Sequence, residues 1–245
     1  MPVLLILYVF LFGVTYYMYS PPKYSKPFPW VKFSTSLCFI LIAAYSAFLS
    51  QYYSMFYKML PAFILAALGD LLLGLAHSKN DSNSKEFLIG TFSFLAAHIV
   101  FYAALTFIYP VHLIDFVITI GVMGLVYFIS LRKNVNLGIM KIPGIIYSFF
   151  VGLLFSKSLM IVIYSGAAVS HILILTGSFL FLASDLILVF LNFHIAPPKL
   201  LAFANLSTYY AGIALLGLSL YPFLSQRSLN GKSILFSKED AFPQK

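Results

Sequence analysis

Residues 60–77 read LPAFILAALGDLLLGLAH. The run is long and apolar enough to cross a bilayer, and it carries a single carboxylate, Asp70, near its middle. An ionisable group at that depth costs roughly 2.5–3.5 kcal/mol on insertion scales, so it must face protein or water and marks a site. A second run, residues 166–194 (GAAVSHILILTGSFLFLASDLILVFLNFH), carries Asp185 in a similar setting. LGDLLLGL and ASDLILVFL read as two copies of one idea, an aspartate held inside an apolar helix.

Composition extends this reading to the whole chain. Its 245 residues are 61% hydrophobic and 9% charged, with a mean hydropathy of +0.96, against a charged fraction of about 25% in an average soluble domain. This is the composition of an integral membrane protein, with length for about eight spans of ~20 residues and no room for a soluble catalytic domain. Any chemistry happens between helices. The net charge of +8 comes from Lys and Arg in loops and tail, not from a basic helix face, so phospholipid headgroups are the expected polyanion and nucleic acid is not. The single cysteine, Cys38, lies in an apolar run and reads as a buried, inert thiol.

Taken in order, residues 2–19 form a first helix that lacks the basic start and small-residue cleavage site of a signal peptide. A proline- and lysine-rich loop, 21–32, precedes helix two, 33–53; Lys58 and Pro61 mark the start of helix three, residues 60–77. Helix four spans 87–108, helix five 111–131, helix six 143–163, helix seven 166–194 and helix eight 200–221. Lys157 is expected to snorkel from helix six to an interface. Asp115, near a helix start, suits the helix dipole. Pro197, Pro198 and Lys199 make a tight connection, and residues 222–245 read as a disordered polar tail after a transmembrane domain of residues 1–221. Lys23, Lys26, Lys32, Lys79, Lys85, Arg132, Lys133, Lys141 and Lys199 fall in alternate loops, which the positive-inside rule places in the cytoplasm; the tail's Arg227, Lys232, Lys238 and Lys245 pull the other way.

The aspartates invite a repeat test. Asp70 is followed by His98 and Tyr102, and Asp185 by Asn205 and Tyr209; each second pair is spaced i, i+4 and shares a helical face. Seven residues after each aspartate, on its own face, stands His77 in one case and Asn192 in the other. The pattern predicts two four-helix pseudo-repeats of the same orientation around a central cavity. Asp70, His98, Asp185 and Tyr209 are expected around that cavity, with Tyr102 and Tyr210 on its lining. No HExxH motif or cysteine cluster suggests a metal site.

These residues resemble the YhhN-like lysoplasmalogenase family of polytopic membrane proteins. The matching pieces are Gly69-Asp70, Gly90 with Phe94, His98 and Tyr102 at four-residue steps, Gly177 with Phe181 and Ser184-Asp185, and Thr208-Tyr209-Tyr210. They are spread over helices three to eight. The resemblance implies a membrane hydrolase, in the inner membrane if bacterial, that cleaves the vinyl ether bond of lysoplasmalogens to a fatty aldehyde and a glycerophospho-base. It implies a lysophospholipid substrate, Asp70 and Asp185 as catalytic residues, and His98, Tyr102, Ser184, Asn205, Tyr209, Tyr210, His77 and Asn192 as groups that bind or orient.

The chemistry suits that implication. A vinyl ether is hydrolysed by protonating its outer alkene carbon, which gives an oxocarbenium ion that water captures. Paired carboxyl groups in a low-dielectric pocket divide into one protonated acid and one carboxylate, as they do at glycosidic bonds. No metal or organic cofactor is needed. The rival reading is a proton-coupled lipid or solute transporter, since intramembrane aspartates serve as proton relays; against it, helices three and seven read as free of interior prolines. A non-catalytic lipid-binding protein is a third reading. An intramembrane aspartyl protease is disfavoured, because its Tyr-Asp and Pro-Ala-Leu motifs are not found.

Overall fold

The computed structural model describes residues 1–221 apart from 21, 80, 82–83, 133–134, 136, 139–140, 195–197 and 199. The tail expected at 222–245, together with Lys133, Pro197 and Lys199, lies outside the described residues. Among these residues there are eight α-helices: α1 (Pro2–Tyr19), α2 (Phe28–Ser50), α3 (Tyr53–Ser78), α4 (Lys85–Leu105), α5 (Leu113–Ser130), α6 (Lys141–Ser165), α7 (Val169–Phe193) and α8 (Leu200–Leu218). Each is long and apolar enough to span a membrane. The protein is all-α and multi-pass, as composition predicts.

Six helices close a ring of neighbours in the order α2, α3, α4, α6, α7, α8 and back to α2. Two lie outside it: α1 rests on α2 and touches α8, and α5 rests on α6. Phe39, Ile42, Phe63, Phe101, Phe181 and Ile213 fill the centre and are almost fully buried. Lipid tails are as apolar as this core, so the helices are held by close packing and interhelical hydrogen bonds rather than by the hydrophobic effect. The crossing of α7 and α8 depends on this closeness. A Cβ built on Gly177 would stand 2.8 Å from the Gly212 carbonyl oxygen, and one on Gly212 would stand 2.8 Å from that of Gly177.

Three readings of the sequence need correction. Helix two starts at Phe28, not at residue 33, because Pro29 occupies its first turn, where the missing N–H costs nothing. Lys32 is therefore a helical residue, buried to 8% exposure, and drops out of the loop charges. Helix three starts at Tyr53, which puts Pro61 in its interior; Pro61 faces outward and the helix continues past it. Lys157 does not snorkel. It is fully buried, and its Nζ donates to the Pro110 carbonyl at 2.8 Å and to Asp115 Oδ2 at 2.5 Å. Asp115 also accepts the His112 backbone N–H at 3.1 Å, so one carboxylate caps α5 and ties it to α6.

Candidate active site

Asp70 sits two turns from the end of α3 and is fully buried. Gly69 beside it is small because the Phe94 ring of α4 packs there, 2.6 Å from where a Cβ would lie. One carboxylate oxygen, Oδ2, accepts from the Tyr209 hydroxyl of α8 and from Ser36 of α2, each at 2.5 Å. The other, Oδ1, lies 3.0 Å from Lys32 Nζ, a contact that is close but not aligned as a hydrogen bond. All three neighbours are donors and one is an ammonium. The group they are arranged to hold is a carboxylate anion. Tyr210 backs this cluster: its hydroxyl donates to the Lys32 carbonyl at 3.3 Å, and its own carbonyl accepts from Tyr8 at 2.7 Å.

Asp185 sits two turns from the end of α7 in a different setting. Its Oδ2 faces His98 Nε2 of α4 at 3.3 Å, and Tyr147 of α6 stands beside it on the same cavity walls. His98 Nδ1 lies 2.7 Å from the Phe94 carbonyl, which can only accept, so Nδ1 carries a proton. Nε2 and Oδ2 would then meet lone pair to lone pair unless one of them also carried a proton. A proton on either atom would turn this 3.3 Å contact into a hydrogen bond. The pair is loosely aligned, and neither Nε2 nor Oδ2 has another hydrogen-bond partner among the described residues. Buried atoms left this way are the exception in proteins.

An aromatic wall stands between the two carboxyl groups. The Phe181 ring is 4.4 Å from His98 and 5.4 Å from Tyr209, and Phe94 is 5.6 Å from Tyr209. Cavities flank this wall unequally. A polar chamber of about 350 Å³ is lined by Lys32, His77, Asn192 and Asn205 among others, with Asp81 at its edge. A second chamber of about 80 Å³ is largely apolar and has Phe94, Tyr147 and Asp185 on its wall. A pocket of about 20 Å³ continues from Asp185 and Tyr147 towards Val126 of α5. The two chambers share Leu73, Phe87, Leu188 and Asn192. Asp185 thus faces the apolar space directly, whereas Asp70 is not on these walls and acts on the polar chamber through Lys32.

The residues singled out from sequence distribute accordingly. Asp70 and Tyr209 are bonded to each other, and Asp185 meets His98. Asn205 Nδ2 donates to the Ser184 carbonyl at 2.8 Å and to its hydroxyl at 3.1 Å, bracing the residue before Asp185. His77, Asn192 and Asn205 line the polar chamber. Tyr102 points elsewhere: its ring lies 5.6 Å from Lys157 Nζ. Lys32, Ser36 and Tyr147 are the contributors that sequence reasoning missed. The available signal for the first two was their i, i+4 spacing, which puts an ammonium and a hydroxyl on one face once α2 is started at Phe28. Among the described residues, no three His, Cys, Asp or Glu side chains gather as they would around a metal ion.

The fold and these contacts define a polytopic helical membrane protein with two carboxyl groups buried in its interior. The model of the YhhN family matches residues 27–220, so the chain belongs to the YhhN family. No curated protein and no solved structure matches it.

Proposed function

We propose that this protein is a membrane hydrolase that cleaves the vinyl ether bond of lysoplasmalogens. The observation that carries the reading is the 3.3 Å contact of His98 with Asp185 on the wall of an apolar chamber that adjoins a polar one. A single-chain phospholipid would set the vinyl ether at the head of its alkenyl chain beside Asp185 and its headgroup in the polar chamber. The pair transfers its proton to the outer alkene carbon, and the ether oxygen then shares the positive charge with the inner carbon. Water adds to that carbon and returns a proton to the pair. The hemiacetal collapses by breaking the bond between carbon and the glycerol oxygen as its hydroxyl proton passes to that oxygen, giving a fatty aldehyde and the glycerophospho-base. Tyr147 orients the Asp185 carboxyl, and the fixed anion of Asp70 stabilises the developing cation electrostatically. Family membership supports hydrolysis of this kind, and the two carboxyl groups read as divergent members of two four-helix halves.

The test is incubation of purified protein with synthetic lysoplasmalogen and with its alkyl-ether and acyl analogues, scoring aldehyde. The expected result is aldehyde from the alkenyl lipid, no reaction of the alkyl ether, which has no π bond to protonate, and poor cleavage of the ester. Rapid ester cleavage would make the protein a general lipase. Intramembrane carboxyl groups also serve as proton relays, and uptake of intact lipid into proteoliposomes without aldehyde would establish a transporter instead.

A further inference from the structure

The outlying helix α1 is fastened at two points, and both lie next to a residue that holds Asp70. Tyr8 and Thr15 are its buried side chains. They stand seven positions apart, about two turns along one face. Tyr8 donates its hydroxyl to the Tyr210 carbonyl at 2.7 Å, and Thr15 meets Thr35 hydroxyl to hydroxyl at 2.8 Å. Tyr210 directly follows Tyr209 in α8, and Thr35 directly precedes Ser36 in α2. Tyr209 and Ser36 are the two hydroxyls that donate to Asp70 Oδ2. Each anchor of α1 is thus one residue away from one donor to the carboxylate.

The geometry around Ser36 shows what these anchors can do. A serine hydroxyl carries one proton, and Ser36 has two acceptors in reach, the Lys32 carbonyl at 3.0 Å and Asp70 Oδ2 at 2.5 Å. A carbonyl oxygen has two lone pairs. The helical N–H of Ser36 takes one of those on Lys32, and the Tyr210 hydroxyl, 3.3 Å away, is directed at the same oxygen. With both in place, the Ser36 proton is left for the carboxylate, the nearer and charged acceptor. Tyr210 is itself held from α1, whose Tyr8 and Phe12 rings stand edge to face with it at 6.0 and 5.9 Å. Gly212, two positions further on and so on the opposite side of α8, is pressed against Gly177 of α7. The turn that carries Tyr209 therefore has α1 on one side and α7 on the other. Contacts of 2.5 Å leave little slack, since a slide of about 1 Å in either helix takes them past the normal O–H···O range.

We propose that α1 is a positioning helix for the Asp70 carboxyl group, in which Tyr8 sets the place of Tyr209 through Tyr210 and Thr15 sets that of Ser36 through Thr35. The part Asp70 plays in turnover rests on the hydrolase reading, but its hydrogen bonding does not, and the test measures both. Infrared spectra are recorded on the purified full-length protein, and the Asp70 band is the carboxyl-group absorption that Asp70→Asn removes. Ser36→Ala and Tyr209→Phe show where that band lies with one donor gone. Tyr8→Phe, which keeps the ring, is expected to move it towards its Tyr209→Phe position, and Thr15→Val towards its Ser36→Ala position. In aldehyde release each should lower kcat about fivefold, the scale of one hydrogen bond, with KM unchanged. Phe10→Leu, at a side chain 65% exposed on the outer face of α1, should alter neither band nor kcat. A purely structural role for α1 would lower the unfolding temperature of Tyr8→Phe and Thr15→Val and leave the band in its parental place, which would overturn the proposal. A loss of kcat in Phe10→Leu equal to theirs would overturn it as well. If the band moves as expected and the parent protein releases no aldehyde, the positioning role stands and the hydrolase reading falls. If the parent releases aldehyde and the band does not move, the reverse is true.

Discussion

Replacing each aspartate by asparagine should produce two different phenotypes. In Asp70→Asn, the Lys32 ammonium loses the anion it faces while its side chain is 11% exposed, and the side chain it faced is 1% exposed. Breaking a buried pair by removing one partner costs about 3–5 kcal/mol. The polar chamber lets water reach Lys32, which puts the expected loss near the lower end, about 3 kcal/mol. The hydroxyls of Ser36 and Tyr209 keep an acceptor, but a neutral one, and two charge-assisted bonds weaken. Adding Lys32→Met should recover most of that stability, since no unpaired charge is left inside, without recovering activity. Asp185→Asn loses a loosely aligned 3.3 Å contact and should stay within about 1 kcal/mol of the parent. Its turnover should fall by about 10²–10⁴, the usual contribution of a general acid. Unfolding in mixed micelles gives the stabilities, and aldehyde release gives the turnover. An Asp70→Asn protein as stable as the parent would refute the anion assignment. Near-parental turnover in Asp185→Asn would remove that residue from proton transfer.

Three further outcomes follow from other parts of the molecule. Lys157→Met leaves Asp115 buried without its cation and should cost about 3–5 kcal/mol in the same unfolding assay, while aldehyde release per folded molecule is unchanged. Gly177→Ala brings a methyl to 2.8 Å from the Gly212 carbonyl oxygen and should cost about 1–3 kcal/mol as α7 and α8 part; thermal unfolding in micelles checks it. The proposed hydrolysis makes proton transfer to carbon the slow step, so aldehyde release should slow in deuterated water, and an alkyl ether of equal chain length should inhibit competitively. An unchanged rate under single-turnover conditions would count against rate-limiting protonation.

What the sequence made legible was the part written in local pattern. The apolar runs give eight spans, the two carboxylates inside them stand out by cost, and the four-residue steps from Gly90 to Tyr102 put His98 on the face that packs inward. The rest depends on long-range meetings. Tyr209 reaches Asp70 across 139 positions of chain, and Lys157 meets Asp115 across 42. Lys32 was hidden for a local reason. Pro21, Pro22, Pro27 and Pro29 surround it with loop signals, yet a proline in the first turn starts a helix as readily as it ends one. A lysine assigned to a loop is assumed to be solvated, and its pairing with Asp70 then goes unseen.

The helix neighbours explain how one frame yields two kinds of carboxyl group. Moving every helix label forward by four turns the pair α1–α2 into α5–α6, α2–α3 into α6–α7, α3–α4 into α7–α8, and α2–α8 into α6–α4, and all of these pairs are in contact. The aspartates obey the same shift. Asp70 of α3 is met by Lys32 and Ser36 from α2 and by Tyr209 from α8, while Asp185 of α7 is met by Tyr147 from α6 and by His98 from α4. Position is matched and chemistry is not. Asp70 is surrounded by an ammonium and two hydroxyl donors, whereas Asp185 faces an imidazole whose other nitrogen is committed to a carbonyl. A charge locked in place can stabilise a cation but cannot easily move a proton, and a shared proton can be given away. In the proposed hydrolase the division of labour between the carboxyl groups would reside in the side chains on α2 and α8 and on α4 and α6, and exchanging His98 for a residue without a titratable nitrogen should remove proton donation while leaving Asp185 in place.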